Sequence, residues 1–289
     1  MTYDFIQHVK KAFPIQRTCR VLQVSRAGFY DWLGRDSPPQ DAELVSQLKS
    51  VFAESQRCYG SRTTQRALNR RGIKIGRYRV RRLMRQLGLR SVWRRKSIRT
   101  TDSRHGFAVA DNLLARQFDV AAPDQVWVAD MTYIQTRQGW VFLAAVMDLY
   151  ARRIVGWAMA KHMESSVVIR AMQMALQSRR PPAGLMLHTD RGGQYASHAH
   201  VALLEKHGVV RSMSRPRECQ DNAVMERFFL SLKTERVWRQ DYATRVEAEQ
   251  DVHDYILRFY NTQRLHSKLG YCPPAEYERV FAEKTCLAV

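Results

Sequence analysis

Between residues 126 and 235 short apolar runs rich in Val, Ile and Trp alternate with segments of helical period, and this order restricts the chain to few folds. Residues 126–136 and 140–147 are apolar runs joined by Arg137-Gln138-Gly139, which predicts a β-hairpin with a three-residue turn. Residues 153–160 make a third strand. A helix then starts at Ser165, with Val168, Met172, Ala175 and Leu176 on one side, and stops at Pro181-Pro182. Residues 185–189 read as a short buried strand, 197–207 as a helix closed by Gly208, and 209–213 as a strand. A last helix opens at Asp221-Asn222, either of which can cap it. The order β-β-β-α-β-α-β-α predicts an α/β domain, a mixed sheet flanked by helices.

What precedes this domain has a different character. Residues 1–108 hold 24 Lys+Arg against 7 Asp+Glu, whereas residues 109–289 hold 23 against 20, so nearly all of the net +20 is N-terminal. From Arg57 to Arg104 there are 17 basic residues and one acid, Asp102. A folded protein with a polyanionic partner is the class this implies. Ser61 can cap a helix over 61–71 ended by Gly72, and a second helix runs over 77–87 between Gly76 and Gly88. In the second, Val80, Leu83, Met84 and Leu87 form an apolar stripe, while Arg77, Arg79, Arg81, Arg82 and Arg85 take the other faces. Upstream, a short helix through Leu22, a turn at Val24-Ser25 and a helix over 26–33 capped by Ser25 repeat the pattern. Both read as helix-turn-helix pairs, a short pattern that also occurs away from DNA. The expected organisation is an all-α basic region (1–90), a basic linker carrying Arg94, Arg95 and Lys96 (91–122), the α/β core (123–240), and a C-terminal helix and basic tail completing it (241–289).

Several classes drop out on composition. The longest apolar run, 140–147, is eight residues, far below the roughly 20 of a membrane-spanning helix. No apolar stretch followed by a small-residue cleavage site occupies the first twenty positions, so no signal peptide is expected. The five cysteines are scattered without a C-x-x-C pair, which speaks against a disulfide framework and a zinc ribbon and fits a reducing cytoplasm.

Three acids stand where an α/β sheet places chemistry. Asp130 interrupts the apolar first strand, Asp190 follows the short buried strand just before Arg191-Gly192-Gly193, and Glu226 lies in the first turns of the helix opened at 221. The bland reading of any one is a cap or a satisfied salt bridge. Three carboxylates gathered at one place repel unless cations sit among them, and carboxylate oxygens suit Mg²⁺ or Mn²⁺. Two such ions about 4 Å apart serve in-line displacement at phosphorus.

Thirty-five residues separate Asp190 from Glu226, and with Asp130 they resemble the D, D-35-E triad of the retroviral-integrase superfamily of transposases. The strings around them, Trp127-Val128-Ala129-Asp130-Met131-Thr132-Tyr133-Ile134, His188-Thr189-Asp190-Arg191-Gly192-Gly193-Gln194-Tyr195 and Asp221-Asn222-Ala223-Val224-Met225-Glu226-Arg227-Phe228-Phe229, are similar to the IS-three family of insertion sequences, in particular its second-frame protein, OrfB. The resemblance extends to Tyr59-Gly60-Ser61-Arg62 and to the tail Arg264-Leu265-His266-Ser267-Lys268-Leu269-Gly270-Tyr271. It implies a ribonuclease H-like core, metal-dependent cleavage at the element's ends, and attack of the freed 3′-OH on another DNA. It implies that Asp130, Asp190 and Glu226 hold two divalent ions. The family also places a basic residue seven after the Glu, here Lys233, nearly two turns and about 10 Å along the helix, where a cation can hold a phosphate. Implied partners are double-stranded DNA, further copies of the chain, and an upstream OrfA product or fusion, with no membrane.

Other polar and aromatic positions get a structural expectation. Asp148 is an extra acid at a strand end, His188 packs or orders the site, His198 and His200 lack zinc partners, and Met172, Met174, Trp127, Trp140 and Trp157 belong to the core. The stretch 214–220 departs from the family's glycine-containing loop and puts its DNA contacts in doubt. Two rival functions remain at this point: a nuclease of RNA:DNA hybrids with the same carboxylates, and a DNA-binding regulator in which the triad is incidental.

Overall fold

The computed structural model describes residues 2–33, 39–92, 109–216 and 218–286. The chain divides into two compact units, Met1–Glu54 and Ser55–Val289. In the first, α1 (Thr2–Val9), α2 (Ile15–Val21) and α3 (Arg26–Leu33) close around Ile6, Cys19 and Phe29, with Tyr3 and Trp32 packed against them. Ser25 caps α3 as expected, its hydroxyl accepting the Gly28 N–H at 3.3 Å. Two helices here lacked an expectation, α1 and the longer α4 (Pro39–Glu54).

The second unit opens with α5 (Ser61–Arg70) and α6 (Arg77–Gln86). Gly60, in extended conformation, occupies the cap position of α5, and no side chain caps it, so Ser61 is the first helical residue rather than the cap. Val80, Leu83 and Met84 are buried as the stripe predicts. The pair is seated on the C-terminal segment. Tyr59 donates its hydroxyl to the Gln263 carbonyl (3.2 Å) and accepts the Leu265 N–H (2.8 Å), Arg70 pairs with Glu276 (2.6 Å), and the Arg66 guanidinium lies 5.4 Å from the Tyr271 ring centre.

Five strands follow: β1 (Val126–Thr136), β2 (Gly139–Asp148), β3 (Arg153–Ala160), β4 (Met186–Thr189) and β5 (Val210–Met213). The sheet order is β3-β2-β1-β4-β5, with β1, β2 and β3 antiparallel and β4 and β5 running parallel to β1. This is the mixed sheet that the element order predicted. The hairpin turn holds two residues, not three, because Gly139 takes a φ of 101° and already pairs with Thr136.

Helices cover both faces. α7 (Ser165–Arg179), the short α8 (Gly193–Ala196) and α9 (His198–Lys206) belong to one layer; α10 (Ala223–Glu235) and α11 (Arg245–Asp254), the latter continued by wide turns over Tyr255–Tyr260, form the other. The period of two along β1 sorts the core. Trp127 and Ala129 pack with Val168, Met172, Ala175 and Leu176, whereas Val128 and Ile134 pack with Phe228, Phe229, Leu232 and Ile256. Gly156 lets α7 come close to β3; a Cβ there would strike the Ala171 carbonyl and stand 2.8 Å from the Ala175 nitrogen. The last helix is α12 (Pro274–Cys286). Among the described residues no helix is long and apolar enough to cross a membrane, and Cys19, Cys58, Cys272 and Cys286 are free thiols.

Two details differ from expectation. α8 interrupts the loop where the chain was expected to pass directly into a helix at 197, because Gly192 starts a helical turn immediately after the site loop. Trp140 is 45% exposed, since the register opposes it to Gln135 on the outward side of the hairpin, so it is no core residue. The stretch after 108 packs on the core: Leu114 is buried, and the Ser212 hydroxyl accepts the N–H groups of Leu113 and Leu114 at 3.0 and 3.2 Å. Arg94, Arg95 and Lys96 lie outside the described residues. Asp148 is structural as expected, fully buried and accepting the N–H groups of Asp124 (2.9 Å) and Tyr150 (2.8 Å), with burial pushing its carboxyl up to about 7.

Candidate active site

Sheet register brings the first two acids together. β1 and β4 pair in parallel through Val126↔Met186, Trp127↔Leu187 and Val128↔His188, and there the ladder ends. Two residues further along each chain come Asp130 and Asp190, the same side of the pleat on neighbouring backbones. Asp130 is half-buried, and its Oδ1 accepts the Met131 N–H at 2.7 Å. Asp190 is also half-buried; its Oδ1 accepts the Gly192 N–H at 2.9 Å. A Cβ at Gly192 would lie 3.0 Å from that oxygen, so the glycine permits the close turn.

Glu226 is delivered by α10. Neither Asp221 nor Asn222 caps this helix through its side chain, contrary to expectation, and both do other work. Asn222 donates its amide to the Ala129 carbonyl at 3.1 Å, tying the start of α10 to the residue before Asp130. Asp221, wholly buried, accepts from Arg215 (2.9 and 3.0 Å), Arg116 (2.7 Å), Asn112 (2.8 Å) and the Arg215 N–H (3.0 Å). The Arg215 side-chain bonds come first in holding its carboxyl well below the usual carboxylate range. Glu226 follows one turn later, exposed. The departure at 214–220 thus has a structural use: Arg215 turns back to Asp221, while Arg217 lies outside the described residues.

The three acids share one electrostatic field. Burial first, then the negative charges of Asp190 and Glu226, push the Asp130 carboxyl well above the usual carboxylate range, and Lys233 opposes them. The Lys233 ammonium stands 4.8 Å from the Tyr133 ring centre, with burial lowering its pKa and Asp130 raising it. Among the described residues no three His, Cys, Asp or Glu side chains are grouped as ligands of a metal ion. Coulomb coupling reaches further than coordination, so the carboxylates feel one another without closing on one point. The donors are carboxylate oxygens only, a set that fits Mg²⁺ or Mn²⁺ rather than zinc.

The histidines nearby are structural. His188 is buried between the hydroxyls of Ser212 (2.8 Å) and Ser214 (3.2 Å), and burial lowers its pKa to about 4. His200 is buried against the Tyr195 carbonyl at 2.9 Å. On α6, Arg77, Arg79, Arg81, Arg82 and Arg85 are all exposed, forming a basic face opposite the buried stripe.

Asp221 gives a test of how the site is held. Its folded pKa is depressed, so its contribution is present above the ordinary carboxylate pKa of about 3.9 and is lost as pH falls through the folded value. Asp221→Asn is expected to destabilise the protein by about 2 kcal/mol at pH 7, its arginine partners being partly screened by water. The gap between variant and parent should narrow in thermal melts below pH 4. A gap that is constant with pH contradicts the assignment.

Comparison with known proteins agrees with this architecture. A family described as "Integrase core domain" matches residues 120–219, a second of the same description matches 207–274, and an "HTH-like domain" matches 39–97. The chain is 41% identical over 266 residues to the insertion element IS600 uncharacterized 31 kDa protein of Shigella sonnei, covering 91% of this chain and 98% of that protein. It is 36% identical over 283 residues to the transposase InsF for insertion sequence IS3A of Escherichia coli K12, covering 96% and 98%. Among solved structures, a chain of the simian T-cell lymphotropic virus intasome superposes with a TM-score of 0.47 at 14% identity, covering 74% of this chain and 70% of that one. The magnesium-bound catalytic core of HTLV-2 integrase gives 0.40 at 15%, covering 50% and 92%. With identity above a third over almost the whole length of these relatives, the chain belongs to the IS3 family of insertion-sequence transposases.

Proposed function

We propose that this transposase cleaves DNA at the ends of its element and joins the 3′-OH to target DNA, with Asp130, Asp190 and Glu226 as its catalytic carboxylates. One observation carries the reading. A strand, a strand end and a helix, separated by up to 96 positions, bring three carboxylates into a common field in which Asp190 and Glu226 both act on Asp130. Such mutual repulsion is costly without a counter-charge, and divalent cations supply one.

Asp130 and Asp190, on adjoining backbones, would share the ions, and Glu226 would complete the second position. When bound, a pair of Mg²⁺ or Mn²⁺ ions supplies an activated attacking oxygen and a steadied leaving oxygen for in-line displacement at phosphorus. Lys233, two turns along α10, would hold a phosphate against the carboxylates. The chain's own task is mainly orientation, with no covalent nucleophile required.

DNA is held by the basic elements. The exposed α6 arginines 77, 79, 81, 82 and 85 would contact backbone phosphates, and the charges of Arg94, Arg95 and Lys96 would add to that binding. The region 1–90 is read as DNA-binding, 91–122 as its basic connection, and 123–240 with 241–289 as the catalytic body. Synapsis of two ends calls for several copies on DNA, and an upstream-frame product or fusion would add end recognition. The deciding experiment incubates a duplex carrying the element's ends with Asp190→Asn in Mg²⁺ and in Mn²⁺. Loss of cleavage with retained binding supports the reading, and cleavage at the parent rate overturns it.

A further inference from the structure

The hairpin between β1 and β2 carries a solvent-facing aromatic for which the reactions above have no use. Trp140 is 45% exposed. A single exposed apolar side chain is ordinary, so exposure alone says nothing. Its surroundings say more. The Trp140 ring stands edge-on to Tyr133, centres 5.0 Å apart at 90°, and the Lys233 ammonium lies 4.8 Å from the centre of that Tyr133 ring. Lys233 in turn interacts with Asp130. Two ring contacts and one charge interaction therefore link the indole to Asp130.

The turn is also tied to its surroundings. Arg137 pairs with Asp241 at 2.5 Å and donates its backbone N–H to the Tyr242 carbonyl at 2.9 Å. Arg245 donates Nε to the Trp140 carbonyl at 3.2 Å and its backbone N–H to Gln138 at 3.2 Å, and the Thr136 hydroxyl donates to the Gly139 carbonyl at 2.6 Å. None of these ties uses the indole, so the turn holds its shape without it. Along β1, Tyr133 is three residues from Asp130, and Trp140 is opposite Gln135, five residues away, so both leave the other side of the pleat from Asp130, and Lys233 on α10 reaches Tyr133 from the Asp130 side. At about 3.4 Å per residue the offsets along the strand are roughly 10 and 17 Å, the span of a few nucleotides.

We propose that Trp140 is a stacking platform for a nucleobase of the DNA strand a few nucleotides from the reacting phosphate. Lys233, against the Tyr133 ring, and Arg245, on the Trp140 carbonyl, bring to the shelf the positive charge that a strand's phosphates require. The base must be unpaired or terminal, because one inside a duplex already has neighbours on both faces. The location of the shelf relative to the reaction rests on the reading of Asp130, Asp190 and Glu226 as catalytic; the stacking itself does not.

The test uses the full chain and duplex ends carrying 2-aminopurine at successive positions around the cleavage point, without divalent metal so that binding is seen apart from cleavage. With the parent protein, fluorescence is expected to change at one or two adjacent positions only. In Trp140→Leu this change should vanish and affinity fall about 10-fold, while Trp140→Phe keeps part of both. Placing an abasic nucleotide at the responsive position should weaken the parent about 10-fold and Trp140→Leu no further. Equal affinity of Trp140→Leu and parent for intact and abasic ends overturns the proposal. So does a changed sedimentation of the DNA-free variant with an unchanged 2-aminopurine signal, which would make the shelf a contact between protein chains. Asp190→Asn separates the two readings: it should keep the fluorescence change whether or not it cleaves, so its cleavage bears on the carboxylates alone.

Discussion

Asp130→Asn is expected to melt at a higher temperature than the parent when both are free of metal, and to cleave strands about 10³-fold more slowly or worse. The two effects have one origin. Asp130 is half-buried and faces the negative charges of Asp190 and Glu226, an arrangement that strains the metal-free fold and is relieved when the acid becomes a neutral amide of the same shape. The same exchange removes an anionic oxygen donor, and a loss of several kcal/mol of transition-state stabilisation corresponds to a rate factor of at least about 10³. Thermal melts with and without Mg²⁺ check the first part. The parent should gain stability on adding the ion, and the variant should gain little, because binding to the folded state stabilises in proportion to affinity. If the variant melts lower without metal and responds to Mg²⁺ as the parent does, the three acids are not a cation site. End cleavage in the same buffers checks the second part.

Arg264→Met is expected to cost about 3–5 kcal/mol of folding stability, measured by chemical denaturation. Arg264 donates to Glu235 through Nε (2.9 and 3.0 Å) and Nη2 (2.7 Å) and to the Ser231 hydroxyl at 3.2 Å. Tyr255 donates to the same carboxylate at 2.7 Å. Glu235 is 2% exposed, so removal of the guanidinium strands a buried charge that water cannot reach. Pairing the change with Glu235→Leu should recover most of the loss, since an apolar pair of similar volume needs no compensation. Equal losses in the single and double variants would instead assign the effect to packing. The pair matters beyond stability. Glu235 lies at the end of α10, which carries Glu226 and Lys233, and Leu265, next to Arg264, is hydrogen-bonded to Tyr59 at the root of α5. A loosened pair is therefore expected to reduce cleavage as well as stability.

Much of this was readable in the residue order. The five strands follow the runs of β-branched and aromatic residues to within a residue or two, because alternate burial on two faces leaves a period of two in the text. Asp130 stood out as an acid in an apolar strand, and Asp190 as an acid just past one. Asp221 and Asn222 read as caps, since a capping side chain and one that bonds Arg215 or the Ala129 carbonyl look the same in local sequence. Trp140 was assigned to the core because hydrophobicity predicts burial on average, while the side of the hairpin it occupies follows from register. Glu235 and Arg264, 29 positions apart, gave no local signal of their pairing.

Local order, then, was enough for the five strands, the helices α5 to α7, the charged face of α6 and the candidate acids, since each depends on propensity and period within about a dozen residues. Bringing Asp130 level with Asp190 required the parallel ladder between β1 and β4 to end at Val128↔His188, and presenting Glu226 to them required Asn222 to grip the Ala129 carbonyl. Such relations join residues up to 93 positions apart. They arise only when the packed core selects one register and one helix placement from the many that the same local preferences allow.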